Sequence, residues 1–336
     1  ELSSEMIVVK NEYERRENSP YSSLQKEIFA NAYTKHPYKN PIIGHLKDIE
    51  SINVEKLKSF YDQYYWPNNA VISIIGGFNK QDTLDAIENY FGSIPKSPNP
   101  ILENKIIEPI QTESRFSKVH RGGNIGAVMI AYKVPEGLHD DWASLHLLTE
   151  ILGADKIGIL YKLLDDKGLA TASYIYPVQL KDPGLLFLGA TLTANTSHDE
   201  IEEILLSALN EIKENGVTDE ELDRAKVHFE TESIYGRDGP FNIADSVNDA
   251  IALGDWEYYI KLPKQIKEVT KYDIQRVAKK YFSKKGQNIG WYIPKNNTNN
   301  TNGLIPEVSS KIKESLKKPF YFREPFSKVD FWENDF

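Results

Sequence analysis

The chain has 336 residues, enough for about two domains, and its 40% hydrophobic and 11% aromatic content supports packed cores rather than disorder. A net charge of -9 argues against the clustered basic face that phosphate binding needs, so nucleic acid is not an expected partner. No apolar run reaches the roughly 18 residues of a membrane span, and the absence of cysteine rules out disulfides and thiol chemistry without deciding the compartment.

The first residues, EMIVVKNEYERREN at 5–18, read as a helix, followed by a second near 20–34 and a third over 54–65. The apolar AVISII then predicts a buried strand at 70–76. NKQDTLDAIENYFGSIP gives a helix closed by Gly92 and followed by Pro95. PKSPNPILENKIIEPIQTES is a Pro-rich linker. Beyond it, strands are expected at 126–133, 172–179 and 185–193, and helices at 140–152, 157–167, 198–215 and 219–235. GRDGPF at 236–241 is a turn, with Asp238 as a cap and Pro240 early in the next helix.

Two segments share a plan. INVEKLKSFYDQYYWPNNAVISII (52–75) and VTKYDIQRVAKKYFSKKGQNIGWYI (269–293) each open with a capping residue, Asn53 or Thr270. Leu57, Phe60 and Tyr64 then match Ile274, Val277 and Tyr281, and a turn and a strand follow. The chain therefore reads as two copies of one unit in the α+β class: two repeated α/β sandwich domains, each a mainly antiparallel sheet backed by helices. The boundaries are 1–105 for the first copy, its beginning missing, 106–116 for a linker, 117–295 for the second copy and 296–336 for a tail. The tail carries N-x-Thr patterns at Asn296 and Asn299, then a stretch too aromatic to float free. Glu1 follows no initiator Met or apolar leader, which predicts a chain that begins inside a longer or processed protein.

Glu5 and Glu12 lie seven positions apart, close to two helical turns, so they share one face of the first helix. Taken alone, with Arg15 and Arg16 nearby, they describe a solvated surface. The apolar MIVV between them presses the other way and predicts a substantially buried helix.

These residues, read with the stretch that follows them, resemble the pitrilysin/insulinase family of zinc metallopeptidases, the inverzincins. The resemblance rests on EMIVVKNE, His36-Pro37-Tyr38, Pro41-Ile42-Ile43-Gly44, Phe60-Tyr61, Tyr64-Tyr65-Trp66-Pro67-Asn68-Asn69-Ala70 and Gly76-Gly77. It continues through LTEILGADKIGILYKLLDDKGLATASYIY and GRDGPFNIADSVNDAIALGDW. It implies that Glu12 is a zinc ligand and Glu5 a supporting carboxylate near the metal. It also implies a peptide substrate held as an added strand in a closed chamber, and hydrolysis by metal-bound water.

Two departures qualify that implication. The family's other ligands and its general base lie in H-x-x-E-H; the seven histidines here, at 36, 45, 120, 139, 146, 198 and 228, never form it. His139 and His146 read as packing or surface residues. The motif is therefore expected upstream of Glu1, or else this is a degenerate relative. The family's substrate-gripping Arg and Tyr are replaced by Leu164 and Thr171. A second homologous half or a partner subunit is expected to supply them. The sequence thus reads as part of the metal-bearing half of a zinc metalloendopeptidase, inactive alone, or as a non-catalytic scaffold or partner subunit of the same family. The resemblance to bacterial members points to export to a periplasm.

Overall fold

Residues 2–295 are described by a computed structural model; the expectations for residues 296–336 lie outside the described residues. The first third is helical, with α1 (Leu2–Glu17), α2 (Pro20–Ala32), α3 (Leu46–Glu50), α4 (Val54–Tyr64) and α5 (Lys80–Phe91). Side-chain caps fix three of the starts. Ser19 accepts from the Ser22 N–H before α2, Asn53 from that of Lys56 before α4, and Asn79 from those of Gln81 and Asp82 before α5.

Next come β1 (Arg115–Gly122), β2 (Ala127–Lys133), α6 (Trp142–Gly153), β3 (Ala170–Val178), β4 (Leu185–Leu192) and α7 (His198–Asn215). The described chain ends with α8 (Asp219–Tyr235), α9 (Pro240–Leu253), α10 (Tyr258–Glu268), α11 (Lys271–Tyr281) and β5 (Asn288–Lys295). The five strands form one sheet in the order β1-β5-β2-β4-β3. Every neighbouring pair is antiparallel except β1 and β5, which run parallel with Arg115 opposite Asn288. The α+β class, with a mainly antiparallel sheet backed by helices, is as expected.

β2 is buried at every position from Ala127 to Tyr132, so both faces of the sheet must be covered. Alternation divides its side chains. Val128, Ile130 and Tyr132 pack with Leu186 and Leu188 against α6, α7 and α11, through Leu148, Leu205, Leu209, Ile274 and Val277. Ala127, Met129 and Ala131 face the other way, with Leu185, Phe187 and Tyr292, onto Leu24, Ile28 and Ala32 of α2. A helix from the start of the chain thus closes a sheet built from residues 115–295. Gly290 lets it approach: a Cβ there would lie 2.7 Å from Leu24 Cδ1.

Several expectations are corrected. Residues 70–76 form no strand, and none of the five strands pairs with them; an extended segment without a neighbouring ladder has no partner for its backbone groups. The sheet of the described residues is built from residues 115–295 alone. α1 has no buried residue, and Ile7 and Val8 are exposed, so the apolar run MIVV does not bury this helix. The helix expected over 157–167 is a π-helical turn, Tyr161–Asp165. Gly239, at φ +88°, occupies the position before α9 that was assigned to Asp238, while Pro240 does open the helix. β1 straddles the boundary expected between the linker and the second copy, where no strand is expected. Its mixed sequence RFSKVHRG gives an alternating half-buried pattern that a parallel partner far away in sequence completes.

Asp141, at the start of α6, ties that helix to α11. Its carboxylate, 5% exposed, accepts from Arg276 Nη1 at 2.6 Å, Lys280 Nζ at 2.7 Å and Tyr281 OH at 2.6 Å. Burial pushes this carboxyl up, but Lys280, Tyr281 and Arg276 outweigh it and hold it well below the usual range. Both cations reach water, so Asp141→Asn should cost about 2 kcal/mol, less than a fully buried pair. The contribution is complete above the unfolded carboxyl value of about 3.9 and fades as pH falls toward the depressed folded value. Urea unfolding should therefore show the wild-type advantage at pH 5–7 (about neutral to mildly acid) shrinking below about pH 4.

Candidate functional site

α1 carries Glu5 in its first turn and Arg15 and Arg16 in its last, a distribution that suits the helix dipole. Glu5 is exposed. Glu12 is 41% exposed and paired with Arg16 one turn on, through Nη2 at 2.8 Å and Nε at 3.0 Å. Both bonds fall on Oε1, and Oε2 accepts from no donor among the described residues. An exposed i,i+4 pair of this kind contributes only a few tenths of a kcal/mol, about 0.3–0.5. The guanidinium therefore orients Glu12 weakly and leaves half of its carboxylate open.

The acid that anchors α1 is Glu17, which the sequence did not single out. Its side chain is 17% exposed and binds Lys26 of α2 and Arg121 of β1. Burial pushes its carboxyl up, but Lys26 and Arg121 outweigh that and leave it below the ordinary range. Its backbone carbonyl also accepts from Ser23 Oγ at 2.7 Å and from Arg121. One residue thus joins α1, α2 and the sheet edge. The sequence offered only a run of charges here, YERREN, with nothing to mark which one turns inward.

The histidines are dispersed. His146 lies against Trp142 and Phe229, with Nε2 3.2 Å from Gln179 Oε1, and burial pulls it down to about 4. His139 Nδ1 accepts from the Asp141 N–H at 3.0 Å. His36 sits between Asp182 and Asn104, and His228 Nδ1 is 2.7 Å from Glu150. Among the described residues no three His, Cys, Asp or Glu side chains gather as metal ligands. A zinc site needs at least three protein ligands, so the described residues do not by themselves fit the metal. At the positions where the resemblance places a gripping pair, Leu164 is fully buried in the main core and Thr171 is exposed. No helix of the described residues is long and apolar enough to cross a membrane.

Comparison with known proteins follows the same lines. The family model described as the peptidase M16 inactive domain matches residues 51–227. The chain is 27% identical over 288 residues to the zinc protease PqqE of Helicobacter pylori, covering 84% of this chain and 64% of that protein. It is 26% identical over 230 residues to the uncharacterized zinc protease YmxG of Bacillus subtilis, covering 67% of this chain and 54% of the relative. The chain therefore spans little more than half to just under two thirds of these relatives' lengths. The crystal structure of a protease from Helicobacter pylori superposes with a TM-score of 0.84 at 27% identity, over 87% of this chain and 72% of that one. The periplasmic protease PqqL of Escherichia coli shares the fold, with a TM-score of 0.66 at 16% identity over 88% of this chain and 34% of that one.

The two acids of α1 should separate cleanly in stability. Glu12→Ala should change the free energy of unfolding by no more than about 0.5 kcal/mol. Glu17→Ala leaves two cations short of a partner and should cost about 2–3 kcal/mol in the same denaturant titration.

Proposed function

The chain belongs to the M16 peptidase family, and from that membership we propose that it is part of a zinc-dependent metalloendopeptidase acting on peptides or small unfolded proteins in a closed chamber. In this reading Glu12 is the one metal ligand the chain contributes and Glu5 is the carboxylate that supports the site. Residues 1–105 are the remaining part of the metal-binding repeat, 106–116 its linker and 117–295 the second, non-metal-binding repeat. The observation that carries the reading is the state of Glu12: half-exposed, loosely held on Oε1 and open on Oε2, within a chain whose relatives are named zinc proteases. The chain alone is inactive, because one carboxylate does not hold zinc.

A second homologous half or partner subunit is the proposed complement. The internal repeat supports it. Phe60 is 57% exposed, whereas its counterpart Val277 is fully buried. Leu57, Tyr65 and Ile72 are likewise exposed where Ile274, Phe282 and Ile289 are buried. An apolar face of this extent suits another polypeptide surface. The fold shared with the periplasmic PqqL supports an exported location. A non-catalytic partner subunit is the second reading, favoured by the match to the family's inactive domain and by the absence of a three-ligand cluster among the described residues.

Purified chain should hold substoichiometric zinc by elemental analysis and cleave no fluorogenic peptide. Mixed with a chain that supplies H-x-x-E-H, it should yield a zinc-bearing, active complex. There Glu12→Gln should abolish metal retention, and Glu5→Gln should weaken metal affinity by about 10–100-fold. An active complex indifferent to Glu12→Gln would favour the scaffold. Separately, Phe60→Asp should leave the thermal midpoint of the isolated chain nearly unchanged but weaken that complex by at least about tenfold in Kd, measured by calorimetry.

A further inference from the structure

The linker 106–116 looks in sequence like a free joint between two repeats, and the structure contradicts this residue by residue. Glu108, with a side chain only 8% exposed, sits in the middle of it. Its Oε1 accepts from the Thr34 N–H at 2.7 Å and from Thr34 Oγ1 at 2.9 Å; its Oε2 accepts from the Lys35 and His36 N–H groups, each at 2.9 Å. Lys133 Nζ of β2 adds a fifth donor at 3.3 Å to Oε1. Three consecutive backbone N–H groups just past α2 thus converge on one carboxylate, a nest for an anion that the chain fills with its own side chain. Burial pushes this carboxyl up, but the N–H groups of His36, Thr34 and Lys35 outweigh it and bring it down to about 2, so the clasp is charged at any physiological pH.

The residues on either side repeat the pattern. Asn104 Nδ2 reaches His36 Nε2 at 2.7 Å, and Gln111 Nε2 reaches the Lys285 and Gln287 carbonyls at 3.0 and 3.1 Å. Arg115 Nη1 donates to the Asn31 and Ala32 carbonyls at the end of α2. Arg115 thus takes the last carbonyls of the helix while Glu108 takes the N–H groups after it. The strand-side tie runs through Lys133, and α2 in turn carries α1 through Glu17.

We propose that Glu108 is a positioning residue, a carboxylate clasp that fixes α2 and α1, and with them Glu12, against the sheet of the second repeat. The part concerning Glu12 rests on the metal-ligand reading above; the clasp itself does not. An amide in place of the carboxylate turns one acceptor into an N–H donor facing N–H donors, so Glu108→Gln is a sharp, nearly isosteric probe.

The chain has no cysteine, so spin labels at Ser4→Cys on α1 and Ser207→Cys on α7 can report the distance between the helices in the full-length chain. In E108Q that distance distribution should broaden, and the Thr34, Lys35 and His36 amides should exchange hydrogen at least about tenfold faster. Glu103→Gln, at an exposed carboxylate 3.9 Å from Lys181, should change neither. Glu108→Asp, which keeps the charge, should restore part of the narrow distribution. A lowered thermal midpoint with an unchanged distribution would make Glu108 merely structural and overturn the proposal. Should E108Q fail to fold, Lys133→Met removes one donor and should broaden the distribution in the same sense; no broadening there overturns the proposal equally. Zinc retention and kcat of the assembled complex, measured in E108Q, test the other reading. Broadening with both unchanged upholds the clasp and removes Glu12 from the metal.

Discussion

A sheet that is apolar on both faces cannot leave either to water, and this requirement organises the whole chain. β2 presents alternate side chains in opposite directions, and every one of them from Ala127 to Tyr132 is buried. One face is covered by α6, α7 and α11, which alternate with the strands in sequence. The other face is closed by α2, from far earlier in the chain, with Leu24 and Ile28 lying over the bare backbone of Gly290. α2 and the sheet are therefore joined by a shared core before any polar contact between them is considered.

Polar ties then set how that helix is held. Glu17 pins the junction of α1 and α2 to Arg121, Arg115 takes the carbonyls at the far end of α2, and Glu108 takes the amides beyond it. On the opposite face Asp141 does similar work between α6 and α11. At Glu17, Glu108 and Asp141 a carboxylate largely withdrawn from water keeps its charge because several donors converge on it, which gives direction to a packing that hydrophobic contact alone would leave loose.

Much of this was legible in the residues. Asn53, Thr270 and the Pro at the start of α9 are local signals with local consequences, and these two caps form where the sequence puts them. AVMIAY and LLFLGATL are apolar enough to read as strands buried on both sides. Position in space was harder. MIVV and AVISII have the composition of core segments yet lie exposed among the described residues, because burial depends on what packs against a segment and not on the segment alone. β1 was missed for the converse reason: its pattern acquires meaning only beside β5. At the site, the spacing of Glu5 and Glu12 on one helical face follows from their positions in sequence, but the Arg16 contact and the inward turn of Glu17 belong to tertiary structure. Glu108 had no local signal at all, being one acid in a Pro-rich stretch.

The position of β5 between β1 and β2 has a consequence for how the protein is made. β5 is the last described strand in the sequence and the second in the sheet, so β1 and β2, synthesised early, have no common neighbour until residue 295 has left the ribosome. Closing so distant a pairing is slow, and the apolar strand β2 stays without its full complement of hydrogen-bond partners while the intervening helices are translated. Nascent chains stalled before β5 should be the aggregation-prone species, and the natural clients of a holding chaperone.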